Sequence, residues 1–335
     1  MRIIVTGGAG YIGSHTIVEL LESGHEVVSV DNFYNSSLKT FERIYKLTGK
    51  KVENYDVDLC NHEKLEELFN GKKFDALIHF AAYKAVGESV IEPIKYYHNN
   101  INALLGALII TKMTRVSEFI FSSSGAVYDP KNNPPYTEES KRGPVSPYSK
   151  TKQLCEEILE NYVLNSGKVR VLSLRYFNPA GAHSSLLLGE DPNGEPNNLV
   201  PIMTRAMREN KPFTIFGNDY DTPDGTCIRD YIHVVDVAQA HIKALEYLEN
   251  NPACNYDVFN IGTGKGASVL EIIEAFNNAN NLKILYKIGE RRPGDPAIIF
   301  ADIRKAEKLL KFQTKFSLLD IMSTAWEWEK KAFQK

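Results

Sequence analysis

Short apolar runs alternate with amphipathic stretches through the first half of the chain. Runs at Ile3–Thr6, Glu26–Val30, Lys51–Asp56, Ala76–Phe80, Glu118–Ser122 and Val169–Arg175 have the length and composition of strands. Stretches at Ser14–Leu21, His62–Asn70, Tyr97–Met113 and Lys150–Asn165 carry apolar residues at helical spacing. Several of the strands are apolar almost throughout, as a parallel sheet covered on both faces requires. Strand and helix in regular alternation predict an α/β fold with a doubly wound parallel sheet.

After about Asn178 the alternation breaks. Pro179, Gly181, Gly189, Pro192, Gly194 and Pro196 crowd together and read as a long loop. A helix at Val200–Glu209, a short strand at Thr214–Phe216 and a loop over Asp219–Gly225 follow. A helix at Val234–Leu248 and a strand at Val258–Ile261 restore the first pattern. The expected division is a first domain over residues 1–178, rejoined by about 226–262. A smaller α/β C-terminal domain, mainly 179–335, would then face it across a crevice.

At 335 residues the chain is long enough for two coupled domains. Its net charge of −3, without a basic block, implies neither nucleic acid nor an anionic membrane as partner. No apolar run approaches the roughly 18 residues a membrane helix needs. Met1-Arg2 leads straight into a strand, so no secretory or transit segment is expected. Cys60, Cys155, Cys227 and Cys254 are widely spaced and form no metal or redox motif. A reduced, cytoplasmic setting without a metal site is the simplest expectation.

The candidate chemistry starts at Thr6-Gly7-Gly8-Ala9-Gly10-Tyr11-Ile12-Gly13, between a strand and a helix. Gly7, Gly10 and Gly13 permit a tight turn and close approach of a pyrophosphate, with the helix N-terminus aimed at its charge. Asp31, at the end of the second strand, suits the ribose hydroxyls of an adenosine and repels a 2′-phosphate. No basic residue adjoins it in Asn32-Phe33-Tyr34, so NAD is favoured over NADP. The spacing of Gly7, Gly10 and Gly13 is G-x-x-G-x-x-G, whereas Gly262-Thr263-Gly264-Lys265-Gly266-Ala267 literally fits G-x-G-x-x-A but has no run of βαβ units behind it. The second stretch reads as a strand-to-helix turn.

Tyr148 and Lys152 form Y-x-x-x-K just after Pro147, a suitable helix start. Residues i and i+4 share a helix face, so the ammonium is expected to lower the tyrosine pKa and fit it for acid/base work. Upstream, Phe121-Ser122-Ser123-Ser124-Gly125-Ala126 closes a strand, where ligands of doubly wound sheets bind.

These motifs, in this order, resemble the UDP-glucose 4-epimerases of the extended short-chain dehydrogenase/reductase family. The resemblance runs over nearly the whole chain. It includes Ile78-His79-Phe80-Ala81-Ala82, Lys84-Ala85-Val86-Gly87-Glu88-Ser89, Leu174-Arg175-Tyr176-Phe177-Asn178-Pro179, Asn197-Asn198-Leu199, Arg229-Asp230-Tyr231-Ile232-His233-Val234 and Arg291-Arg292-Pro293-Gly294-Asp295. It implies a Rossmann fold and a resident NAD. Tyr148 is then the acid/base, Lys152 tunes it, and Ser124 binds the sugar oxygen. Cofactor contacts would come from Gly7, Gly10, Tyr11, Ile12, Gly13, Asp31, Asn32, Asp58, Leu59, Phe80, Ala81, Lys84, Asn99, Ser122, Tyr148, Lys152 and Phe177. The UDP-hexose would be held by Asn178, Asn198, Leu199, Phe216, Arg229, Tyr231, Val269, Arg292, Asp295 and Ile299. Two arginines from distant segments, Arg229 and Arg292, suit a pyrophosphate.

The implied reaction is reversible 4-epimerisation of UDP-glucose and UDP-galactose through a 4-keto sugar. A homodimer through the helices near Asn99–Met113 and Lys150–Asn165 is implied with it. Two rival readings are a sugar-nucleotide 4,6-dehydratase and an NAD-sensing regulator. Dehydratases carry carboxylates where Gly125-Ala126 stand here, and a regulator is expected to have lost Tyr148 or Lys152. Two positions depart from the pattern. Asp129 stands where the family usually has glycine, and Ile299 where epimerases strict for glucose and galactose carry tyrosine. The smaller Ile299 suggests that UDP-GlcNAc and UDP-GalNAc are also accepted.

Overall fold

The structure, a computed structural model, describes residues 1–166, 168–292 and 294–333. Among them, seven parallel strands form one central sheet: β1 (Arg2–Thr6), β2 (Glu26–Val30), β3 (Glu53–Tyr55), β4 (Ala76–His79), β5 (Glu118–Ser124), β6 (Arg170–Tyr176) and β7 (Tyr256–Ile261). Their order across the sheet is β7-β6-β5-β4-β1-β2-β3. The chain winds outward from β1 in both directions, so the strand order reverses between β1 and β4. Loops leaving those two strands part there and open a crevice at their carboxyl ends.

Alternate side chains along each strand serve two cores, as the pleat dictates. Ile3, Val5, Ile78, Ile120 and Leu172 pack with Ile17, Leu20, Val237 and Leu245 from helices Tyr11–Glu22 and Val234–Asn250. Ile4, Val28, Leu77, Phe119 and Val171 face the other side. They pack with Leu65, Phe69, Leu104, Ala107 and Leu159 from helices His62–Phe69, Pro93–Thr114 and Pro147–Ser166. Each such side chain contributes roughly 1.5–3 kcal/mol on full burial. Gly106 lets helix Pro93–Thr114 approach so closely that a Cβ there would collide with the Leu59 carbonyl oxygen. Asp58 and Leu59 are thereby seated beside the crevice.

The predicted elements are present, with informative shifts at their ends. β5 runs on to Ser124 because Ser122, Ser123 and Ser124 pair with Leu174, Arg175 and Tyr176. The edge strand β3 is shorter than expected, since only Glu53–Tyr55 pair with β2. Helix Pro93–Thr114 begins before Tyr97, with Pro93 at its first position. The run after Tyr176, read as loop from Asn178, first forms a short strand, Asn178–Ala180, parallel to Tyr231–His233.

A third core, built around Val200, Met203, Phe213, Ile215, Ile272, Phe276 and Met322, lies in the C-terminal part. It carries the strands Ile228–Arg229, Ala267–Ser268 and Ile298–Ile299, which form one small sheet. The four cysteines are free thiols. No helix among the described residues is long and apolar enough to cross a membrane.

Candidate active site

A cavity of about 460 Å³ occupies the crevice. The glycine turn forms one wall. Gly7 has φ +69°, the left-handed conformation, and a Cβ on it would come within 2.8 Å of the Ala81 amide nitrogen. A Cβ at Gly13 would collide with the Gly7 carbonyl oxygen, and one at Gly10 would stand 3.2 Å from it. The need for left-handed backbone therefore rests on Gly7, and Gly10 and Gly13 answer to close packing. No side chain caps the helix that starts at Tyr11, so its first amides face the cavity free of a protein carboxylate or hydroxyl. Such a cradle fits a dinucleotide pyrophosphate.

Asp31 ties the turn to β2. Its carboxylate accepts from the Ala9 amide at 2.9 Å, the Phe33 amide at 2.9 Å and Ser36 Oγ at 3.0 Å. Burial raises its pKa, and these hydrogen bonds oppose the rise. Asn32 Nδ2 donates to Asp58 at 3.1 Å. Every residue expected at the cofactor lines the cavity: Gly7, Gly10, Tyr11, Ile12, Gly13, Asp31, Asn32, Asp58, Leu59, Phe80, Ala81, Lys84, Asn99, Ser122, Tyr148, Lys152 and Phe177. Sequence reading missed Ser36, Thr40, Arg43, Glu190 and Asp191, which line it too. Arg43 is the basic neighbour that residues 32–34 did not reveal. Its guanidinium is engaged by Asp191 at 2.9 Å.

Helix Pro147–Ser166 is started by Ser146 and Ser149, whose hydroxyls each accept the other's amide at 3.2 and 3.1 Å. It brings Tyr148 and Lys152 to the end of β5. Lys152 Nζ donates to the Ser122 carbonyl at 2.6 Å and lies 4.9 Å from the Phe121 ring centroid. Burial pulls the Lys152 ammonium down to about 8, against the opposing pull of Cys155 and Glu156. Burial also pushes the Tyr148 phenol up, countered by its hydrogen bond with Ser124. The Lys152 ammonium stands one helical turn further along the same helix, held by the strand carbonyl. Asn100 joins the two halves of this wall: its side chain pairs with the Tyr83 backbone at 2.8 and 3.1 Å and donates to Thr151 Oγ1 at 2.9 Å.

The residues expected at the UDP-hexose divide. Asn178, Asn198, Arg229 and Ile299 line the cavity, whereas Leu199, Phe216, Tyr231, Val269, Arg292 and Asp295 stand outside its lining. Arg229 and Asp295 form an ion pair, and Arg229 also donates to the carbonyls of Ile228 and Pro296, both at 2.7 Å. The Arg292 guanidinium stacks 4.1 Å over the Phe216 ring. Pro293, between Arg292 and Gly294, lies outside the described residues. Asp129 faces away from this chemistry and pairs with Lys141 at 3.3 Å.

The second glycine turn has its own explanation. Asp230 is fully buried beneath it. Its Oδ1 accepts from the Thr263 amide at 2.8 Å and hydroxyl at 2.7 Å, and its Oδ2 from the Gly264 and Ala301 amides, each at 3.2 Å. A protein carboxylate thus takes the donors that a phosphate would need. The same contacts fix the backbone between Arg229 and Tyr231, and the strand carrying Ile299. Asp230→Ala strands these donors at roughly 1–3 kcal/mol for each buried one. Denaturant titration is expected to show a loss of about 2 kcal/mol or more, with a smaller loss for Asp230→Asn. Unchanged midpoints would refute this role.

Comparison with known proteins agrees with the geometry. The family model described as NAD dependent epimerase/dehydratase family matches residues 3–262. The UDP-glucose 4-epimerase of Bacillus subtilis (strain 168) is 45% identical over 330 residues, covering 98% of this chain and 97% of that one. Among solved structures, the Bifidobacterium longum UDP-glucose 4-epimerase in complex with NAD+ and UDP superposes with a TM-score of 0.93. It is 44% identical, with 99% of this chain and 98% of that chain covered. The Stenotrophomonas maltophila enzyme, with bound NAD and formylated UDP-arabinopyranose, gives 0.95 at 39% identity, covering 99% and 98%. This chain belongs to the NAD dependent epimerase/dehydratase family.

Proposed function

We propose that this protein is an isomerase that interconverts UDP-glucose and UDP-galactose by NAD-dependent 4-epimerisation. The observation that carries the reading is the meeting of Tyr148, Lys152 and Ser124 with the glycine turn and Asp31 around one cavity. NAD, when bound, would supply a reversible hydride acceptor beside C4. Gly7–Gly13 and Asp31 would hold its pyrophosphate and adenosine ribose. Tyr148 would take the C4 hydroxyl proton, with Ser124 hydrogen-bonding the same oxygen. Burial favours the protonated phenol, so loss of that proton calls for positive charge nearby, and Lys152 is the buried cation at hand. The 4-keto sugar would then turn about its link to the pyrophosphate, with Arg229 and Arg292 gripping the UDP. Tyr148 would finally return the proton.

The site argues against dehydration. Gly125-Ala126 stand where dehydratases carry carboxylates, and a side chain at Gly125 would come within 2.9 Å of the Phe177 ring and have to displace it. Residues 1–178 with about 226–262 would serve the cofactor, and mainly 179–335 the UDP-sugar. Ile299 lines the cavity with Ala126 and Asn178, which favours room for an N-acetyl group. Val90, Ile91, Ile94 and Leu164 are exposed on helices near the proposed homodimer contact, and exposed apolar rows support such a pairing. The free thiols suit a cytoplasmic enzyme.

Purified protein given UDP-galactose without added NAD is expected to form UDP-glucose, followed by NMR. Tyr148→Phe should lower turnover about 10²–10⁴-fold. No conversion, with or without NAD, would overturn the reading. Ile299→Tyr should abolish epimerisation of UDP-GlcNAc while sparing UDP-glucose, and equal loss on both would remove the N-acetyl assignment. Sedimentation is expected to give twice the 37.7 kDa chain mass; a monomer would remove the dimer.

A further inference from the structure

We infer that Gly189–Asn193 is a strap that fastens the cofactor in place by closing over the adenosine end of its site. This rests on the reading that the cavity holds NAD. Gly189, Glu190 and Asp191 line the cavity together with Asp31, Ser36 and Arg43. None of these strap residues belongs to the glycine turn, the Y-x-x-x-K pair or the proposed UDP grip.

One end of the strap is seated on Trp328. A side chain at Gly189 would fall inside the indole, and Trp328 Nε1 donates to the Glu190 carbonyl at 3.3 Å. The other end is fastened to the loop that follows Asp31. Asn193 Nδ2 lies 3.4, 3.3 and 3.0 Å from the carbonyl oxygens of Phe33, Tyr34 and Ser36. Between the ends, Asp191 takes Arg43 at 2.9 Å, and Glu190 Oε1 takes both Lys84 at 2.8 Å and Asn198 Nδ2 at 2.9 Å. Arg43 also lies 5.2 Å from the Trp328 ring centroid.

The chemistry of these contacts suits a fastener better than a structural staple. They are polar and partly exposed, and such pairs add little to global stability. They can open locally without unfolding a core. All of them must open together for the strap to lift. An enzyme that regenerates its NAD in each cycle gains from a segment that slows cofactor exit.

The test uses the full chain loaded with NAD. Released NAD is trapped by excess alcohol dehydrogenase and ethanol, and NADH absorbance reports the rate. Asn193→Ala and Asp191→Ala are each expected to speed release about tenfold, the equivalent of one or two polar contacts. Release within twofold of wild type in both variants would overturn the strap alone. Wild-type protein that takes up no NAD would overturn the functional reading and the strap with it.

Discussion

Two buried charges, one helical turn apart, fix helix Pro147–Ser166 on the sheet, and the rest of the site depends on that register. Lys152 reaches the Ser122 carbonyl. Glu156, fully buried, takes Arg175 Nε at 2.8 Å and Nη2 at 2.6 Å, and Ser123 Oγ at 2.5 Å. A charge left unpaired in such a place costs several kcal/mol. Sliding the helix by one residue would unpair both at once. Burial alone would tolerate small shifts, because apolar contacts are not directional. The paired charges therefore supply the precision that Tyr148 and Ser124 need to meet at one oxygen.

The same economy of charge recurs across the site. The ligands it is proposed to hold are strongly anionic, yet the chain is itself slightly acidic. Backbone amides at a helix start can meet one pyrophosphate without adding a cation. Where a second glycine turn offers the same amides, Asp230 fills it. One turn is left open to the cavity and the other is closed by the protein's own carboxylate. Two glycine turns between a strand and a helix thus take opposite roles, and the difference lies in a residue more than thirty positions away.

That contrast shows what the sequence made legible. The strands and the doubly wound parallel sheet followed from apolar runs, because burial on both faces leaves a strong local imprint; the strand order came only with the structure. The glycine turn, Asp31 and the Tyr148–Lys152 pair are local patterns, so they could be read, and the cavity brings them together. Asp230 could not be recognised as a plug, nor Arg43 as the partner of Asp191, because those contacts join segments far apart in the chain. The depth at which Tyr148 and Lys152 sit was not legible for a related reason. Helical spacing placed Lys152 correctly, but its hydrogen bond to Ser122 and the depth of burial belong to tertiary structure. The ends of β3 and β5 shifted because pairing with a neighbour, rather than side-chain polarity, decides where a strand stops.

An epimerase must let go of one nucleotide and keep another, although both are bound by pyrophosphate and ribose. Affinity for shared chemical features cannot distinguish them; covering one and exposing the other can. The cofactor half is walled by the sheet, and segment 189–193 crosses it with contacts to residues 33–43 and 84. The grip proposed for UDP consists of Arg229, Arg292 and Asp295, side chains whose present partners are one another, Phe216 and nearby carbonyls. Those partners can be exchanged for a ligand's groups and recovered when it leaves, so the same donors are never stranded for long. A loosely held hexose between a fastened cofactor and an exchangeable UDP grip is the arrangement that inversion at C4 requires.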